Sequence, residues 1–158
     1  MPDTSTIRSS EQAIANLVAA YAFLNDDADI GGLGDLFAEA IFTLDGAVAR
    51  GKAEIEAMAA AIIPIGPNGR SATSHEITNL SIDIDDEAGS ATAQSYWTLY
   101  QAVSGTPRQA VLAGRYRDEF SRANGRWRFA RREAVIRWRA DPSGTADGPM
   151  ELEPSAAE

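Results

Sequence analysis

Apolar residues recur at Ile14, Leu17, Val18 and Tyr21, the spacing of one helical face. Ahead of them, Ser9-Ser10-Glu11-Gln12 offers a capping box with Ser9 as N-cap and Gln12 at N3. The pattern predicts a helix from about Ser10 to Asp27. Gly31-Gly32 breaks the chain, and Leu33, Leu36 and Phe37 mark a second, short helix. Ile41-Phe42-Thr43-Leu44 reads as a strand ended by the turn signal Asp45-Gly46. Lys52 to Ile63, rich in Ala and Met, predicts a third helix, and Pro64, Gly66, Pro67 and Gly69 end it.

From Ser71 the pattern is that of strands. Four are predicted, over residues 74–84, 90–103, 109–122 and 126–139. Their turns are Asp85–Gly89, Ser104-Gly105-Thr106-Pro107 and Asn124-Gly125, the last being the strongest hairpin signal in the chain. Three helices followed by a meander is an α+β order, not a βαβ alternation. Long meander strands curl, and helices closing the concave face leave a pocket, a common place for a small-molecule site. The expected organisation is a short lead over residues 1–9, one domain over 10–140 and a flexible acidic tail over 141–158. That tail holds five acids and no Lys or Arg.

Composition narrows the function classes. A chain of 158 residues supports one domain with a sizeable core. No run approaches the ~20 apolar residues that span a bilayer. Met1-Pro2-Asp3-Thr4 lacks a basic stretch followed by an apolar one, so no secretory signal is expected and a cytoplasmic location is. The absence of cysteine excludes disulfides, a thiol nucleophile and Cys-ligated zinc. A net charge of −9 argues against nucleic acid or an anionic membrane as partner. Nine of the thirteen arginines fall between Arg115 and Arg139. Most should alternate outward with their stems over apolar surface; one turned inward would bind a substrate oxygen.

The candidate chemistry is sparse. His75 is the only histidine, so imidazole proton transfer near neutral pH must use it. It shares a strand face with Ile77 and Asn79. A lone histidine is more often a surface or satisfied core residue, so position alone does not select it. Asn25-Asp26-Asp27-Ala28-Asp29 ends the first helix, where carboxylates are disfavoured by the helix dipole. Asp26 lies five residues past Tyr21, and helical geometry does not decide which acid points inward. Tyr96, Thr98 and Tyr100 share one face of the second long strand; Ser95, Trp97 and Leu99 share the other. Tyrosines lining a pocket can donate a proton to a leaving group or enolate oxygen. No Gly-rich phosphate loop or G-x-S-x-G elbow is present, and no spacing assembles a metal site around one His. No cofactor and no metal are expected.

These residues resemble a known family. Tyr21-x4-Asp26-x2-Asp29 with Leu33-x2-Leu36-Phe37 looks like the first-helix signature of SnoaL-like proteins of the NTF2-like superfamily, as does His75-x3-Asn79 followed by Ile82-Asp83. Gly125-x-Trp127-x-Phe129, then Ile136-Arg137-Trp138, is similar to the closing strand of the scytalone dehydratases, and Asp26 with His75 resembles the catalytic pair of the scytalone dehydratase and hexachlorocyclohexane dehydrochlorinase branch. The resemblance covers residues 10–140. It implies a cone-shaped α+β fold, three N-terminal helices packed on a curved, mostly antiparallel sheet. It also implies an Asp26–His75 catalytic pair facing an apolar pocket. Three departures bear on the substrate. The scytalone dehydratase pattern has a Tyr beside the Asp, and here that position is Asn25. Its second His has no counterpart, Arg115 or Tyr116 lying nearby. Its polar residue before Ile-Arg-Trp is Val135.

The resemblance implies a cofactor-independent lyase releasing water, halide or formaldehyde from a small hydrophobic, aromatic or cyclic substrate. His75 would be the base, Asp26 its orienting partner, and Tyr96, Tyr116 or Arg132 the helper at the leaving group or oxyanion. Tyr21, Asn25 and Asn79 complete the expected substrate-binding set. A ketosteroid-isomerase-like isomerase or polyketide cyclase is the second reading, a non-catalytic ligand-binding or assembly module the third. The family also implies a homo-oligomer, dimer or trimer, formed through an outward apolar sheet face carrying Trp97 and Leu99.

Overall fold

The structure is a computed structural model describing residues 9–102 and 107–140. Three helices, α1 (Ser10–Asp26), α2 (Ile30–Leu36) and α3 (Gly51–Ile62), pack on a sheet of six strands. These are β1 (Ile41–Leu44), β2 (Ala47–Arg50), β3 (Thr73–Asp85), β4 (Ser90–Gln101), β5 (Gln109–Ala123) and β6 (Arg126–Arg139), in spatial order β2-β1-β6-β5-β4-β3. Only β1 and β6 run parallel; the other neighbours are antiparallel. No helix among the described residues is long and apolar enough to cross a membrane. The lead over residues 1–8, most of the turn at 104–107 and the tail from 141 lie outside the described residues.

The helix signals act as their chemistry requires. The Ser9 hydroxyl accepts the Gln12 backbone N–H at 3.2 Å, satisfying one free donor of the first turn. The Gln12 side chain does not close the box; it donates to Asn16 one turn on. Ile14, Val18, Tyr21 and Ala22 form the buried face of α1. The three acids after Asn25 divide their tasks. Asp29 caps α2 by accepting the Gly32 N–H at 2.8 Å, Asp27 pairs with Arg70, and Asp26 turns toward β3.

The strand β2 is absent from the sequence reading, which treats Asp45-Gly46 only as the end of β1. Both residues have positive φ, 47° and 90°, the geometry of a two-residue hairpin turn. The chain folds straight back, and Leu44 pairs with Ala47.

The faces of β4 are the reverse of those expected. Trp97 is 4% exposed and packs inward, whereas Tyr96 is 46% exposed on the outer surface. Trp97 stands directly opposite Gly114 on β5. A Cβ on Gly114 would lie 2.8 Å from the indole and 1.9 Å from the Val135 carbonyl oxygen, so the missing side chain makes the space the indole fills. Leu99 belongs to the same inner cluster. The apolar face expected to pair with a second copy is therefore the inside of the domain. The outer face carries Tyr96, Arg115, Arg117, Glu119, Arg131 and Glu133 instead.

Candidate active site

The end of α1 meets the start of β3 through Asp26. Its Oδ2 accepts the His75 backbone N–H at 2.8 Å, and its Oδ1 lies 2.7 Å from His75 Nδ1. The Thr73 hydroxyl adds a third hydrogen bond, to Oδ1, at 3.3 Å. The Ser71 N–H donates to the Asp26 backbone carbonyl at 3.2 Å. The carboxylate is thus held by β3 itself. A carboxylate opposite Nδ1 draws the imidazole proton to that nitrogen and leaves the lone pair on Nε2. Nε2 has no hydrogen-bond partner among the described residues. The His75 side chain is 7% exposed and that of Asp26 21%.

Tyr21, five residues or about 1.4 turns before Asp26, is the hub of the interior. Its ring meets His75 edge-on at 5.8 Å between centroids, Tyr116 at 5.7 Å and Phe37 at 5.9 Å, and stacks on Phe42 at 5.9 Å. Its hydroxyl accepts from Asn25 Nδ2 at 3.4 Å. Burial raises the pKa of its phenol, an effect the nearby Arg132 cation and the Tyr116 and Asn25 hydrogen bonds only partly offset. Burial pushes the Tyr116 phenol up further, aided by the Tyr21 oxygen. Both stay protonated through neutral pH.

One arginine does turn inward. Arg132 is fully buried, and its Nε and Nη2 each donate at 2.7 Å to Asp118, also fully buried. Desolvation opposes the charge on Arg132, but the Asp118 carboxylate more than restores it. The guanidinium lies 4.0 Å from the Tyr116 centroid and 4.6 Å from that of Tyr21. Its Nη1 has no partner among the described residues, nor do Trp97 Nε1 and the Ser95 hydroxyl, all buried. Buried donors are normally satisfied, so an interior holding several without partners is suited to an acceptor brought in from outside.

The expected residues thus separate. Asp26, His75, Tyr21, Asn25, Tyr116 and Arg132 converge in and around the concave interior. Tyr96 does not; it is on the outer face with Arg115 over its ring. Nor does Asn79, which is exposed and has a φ of 55° where the β3–β4 register shifts between Thr78 and Ser81. That bulge ends the alternation that placed it beside His75 and Ile77. Asp118, Trp97 and Gly114 are the interior residues the sequence reading passes over as chemistry. Asp118 is in phase with Tyr116 and Phe120 on β5, and that phase was its available signal.

The space between helices and sheet is narrow. Tyr21, Asn25, Phe42, Met58, Ile62 and Ile63 line a cavity of about 20 Å³, room for about one water. In this conformation the expected pocket is no larger than that, with Met58 and Ile62 of α3 along one side. Among the described residues no cluster of three His, Asp or Glu side chains is placed to hold a metal.

The comparisons place the fold. The profile of the SnoaL-like domain matches residues 7–133. An NTF2-like protein with a cystatin-like fold from Novosphingobium aromaticivorans is 24% identical, with 90% of this chain and 85% of that chain covered at a TM-score of 0.67. A hexachlorocyclohexane dehydrochlorinase, LinA type 2, is 20% identical over 90% of this chain and 95% of that chain, TM-score 0.71. A third structure, also from N. aromaticivorans and provisionally named a scytalone dehydratase, is 23% identical over 87% and 95%, TM-score 0.65. These likenesses establish the NTF2-like fold. No curated protein matches the chain in sequence.

Proposed function

The chain belongs to the SnoaL-like domain family, and on that premise we propose that it is a cofactor-independent lyase acting on a small, uncharged, cyclic or aromatic substrate. The observation that carries this reading is the 2.7 Å contact between His75 Nδ1 and Asp26 Oδ1, made at the wall of an apolar interior. His75 Nε2 removes a proton from carbon, and Asp26 stabilises the imidazolium that results. Low local dielectric strengthens that pairing. Arg132 Nη1 and the Tyr21–Tyr116 hydroxyls are the donors available to charge that develops on a carbonyl or leaving group.

The charge balance of the site supports an uncharged substrate. Asp118 already neutralises Arg132, and Asp26 adds a negative charge, so a carboxylate or phosphate entering this interior would meet net repulsion. Met58, Ile62 and Ile63 line the cavity, so an outward movement of α3 would be the way to enlarge it for a substrate. A cytoplasmic enzyme working without a cofactor or metal completes the proposal.

His75→Ala and Asp26→Ala should each lower the rate of elimination by about 10²–10⁴-fold. Full turnover by both variants would remove the reading. The Tyr and Arg donors would serve an enolate equally well, which favours an isomerase or cyclase as the second reading. A product of unchanged mass would select it over elimination.

A further inference from the structure

Asp26 is the last residue of α1, where the carbonyls of the final turn place partial negative charge beside its own. Negative charge next to an imidazole makes it hold a proton more tightly. An imidazole that is already protonated cannot take a proton from a substrate. The same carboxylate that steadies the imidazolium can therefore also disable the base, unless part of its charge is taken up elsewhere.

Asp26 Oδ1, the oxygen that meets His75 Nδ1 at 2.7 Å, has a second partner in the Thr73 hydroxyl at 3.3 Å. The Ser71 hydroxyl in turn lies 2.6 Å from that of Thr73. Chemistry fixes the direction of this chain. An ionised carboxylate only accepts, so Thr73 donates to it. A hydroxyl has one proton to give, so Thr73 receives from Ser71. Each link polarises the next, and both hydroxyls draw charge from Oδ1. Ser71 and Thr73 alternate with the exposed Ala72, which puts the two hydroxyls on one side of the chain. The backbone holds them there: the Ser71 N–H donates to the Asp26 carbonyl at 3.2 Å, Ser71 bridges to Ile65, and Arg70 pairs with Asp27.

No other charge competes at His75. Asp26 is the one acid within ion-pair distance of it among the described residues. Tyr21 of α1 meets its ring edge-on at 5.8 Å as a protonated phenol. Its partner on β4, Leu99, is apolar. Arg132 of β6 lies against Tyr21 and is neutralised by Asp118 of β5.

We propose that Thr73 and Ser71 are positioning residues that share the Asp26 charge with His75 and so keep its imidazole free to take a proton from the substrate. This rests on the lyase reading for its purpose, since His75 is the base there, but its measurement needs no substrate.

The chain has a single histidine, so an NMR pH titration of its ring signals reads His75 directly. Thr73→Val keeps the branched shape and removes the hydroxyl. Oδ2 still accepts the His75 backbone N–H at 2.8 Å, so the carboxylate stays in place and its undivided charge meets the imidazole. The titration midpoint should rise by about 0.5 in pH or more, about a threefold gain in proton affinity. Thr73→Ser should return it to within about 0.2 of wild type, and Ser71→Ala should raise it by a smaller amount than Thr73→Val. With Asp26→Asn already in place, Thr73→Val should move the midpoint by less than about 0.2. An unchanged or lowered midpoint in Thr73→Val, an equal rise in Thr73→Ser, or an undiminished rise in the Asp26→Asn background would each overturn the role given to the hydroxyls and leave the lyase reading standing. Thr73→Ala carries the same expectation if Thr73→Val does not fold. Full turnover by His75→Ala would instead remove the lyase reading, and with it the catalytic purpose of the chain, whatever the titration shows.

Discussion

Two ion pairs stand one residue apart on the same two strands. On the inner face of β5 and β6, Asp118 grips Arg132 through two 2.7 Å hydrogen bonds, and both side chains are fully buried. On the outer face, Arg117 and Glu133 approach to 3.7 Å with side chains 58% and 39% exposed. The residue types are nearly the same, and the pleat alone sends them to opposite solvents. Outside, water and salt screen the charges and the pair does little. Inside, each charge has lost its hydration, so neither member can stay without the other. The inner pair therefore holds a cation among aromatic rings, while the outer pair solvates a surface.

The largest expected effect breaks this contrast at its strongest point. Asp118→Ala, leaving Arg132 buried and unpaired, should cost about 3–5 kcal/mol in a urea titration. Replacing the pair together, Asp118→Leu with Arg132→Met, should recover most of that. A single variant no costlier than Arg117→Ala would remove the distinction between the faces.

Gly114→Ala comes next, at about 1–3 kcal/mol or more of overpacking. The new Cβ would meet the Val135 carbonyl and the Trp97 indole, and thermal melting with a check of indole fluorescence would register both.

The buried phenols sharpen the contrast through pH. The unfolded chain releases tyrosine protons from pH about 10, while folded Tyr21 and Tyr116 retain theirs to higher pH. Above that pH the unfolded state binds fewer protons than the folded one, so stability falls as pH rises, by up to about 1.4 kcal/mol per pH unit for each phenol. Denaturant midpoints between pH 8 and 11 should show this decline, and Tyr116→Phe should make it shallower.

The smallest effects belong to the outer face. Arg117→Ala should change stability by less than about 1 kcal/mol. Tyr96→Phe should leave turnover unchanged, since Tyr96 is remote from the cavity; a tenfold loss there would return it to the site.

How much of this was legible depends on the range over which each signal acts. The ends of α1, β1 and β6 follow from caps, turns and periodicity, all local, and they agree with the structure within a residue or so. The strand β2 was missed because four residues after a turn carry too little pattern. Asn79 was misplaced because a bulge shifts the phase of β3, and bulges leave no clear mark in the alternation.

By itself the sequence determined the order and extent of nearly every element, the SnoaL-like signatures, and that any imidazole chemistry must use His75. Only the tertiary structure decided which of three neighbouring acids meets that histidine, which face of β4 is the interior, and which arginine is buried and with what partner. Periodicity states which residues share a face, but the choice of inner face depends on the volume available across the sheet, as Gly114 provides for Trp97. Asp26 was singled out because Asp29 was needed as a cap for α2 and Asp27 met Arg70, leaving Asp26 to accept the hydrogen bonds of β3.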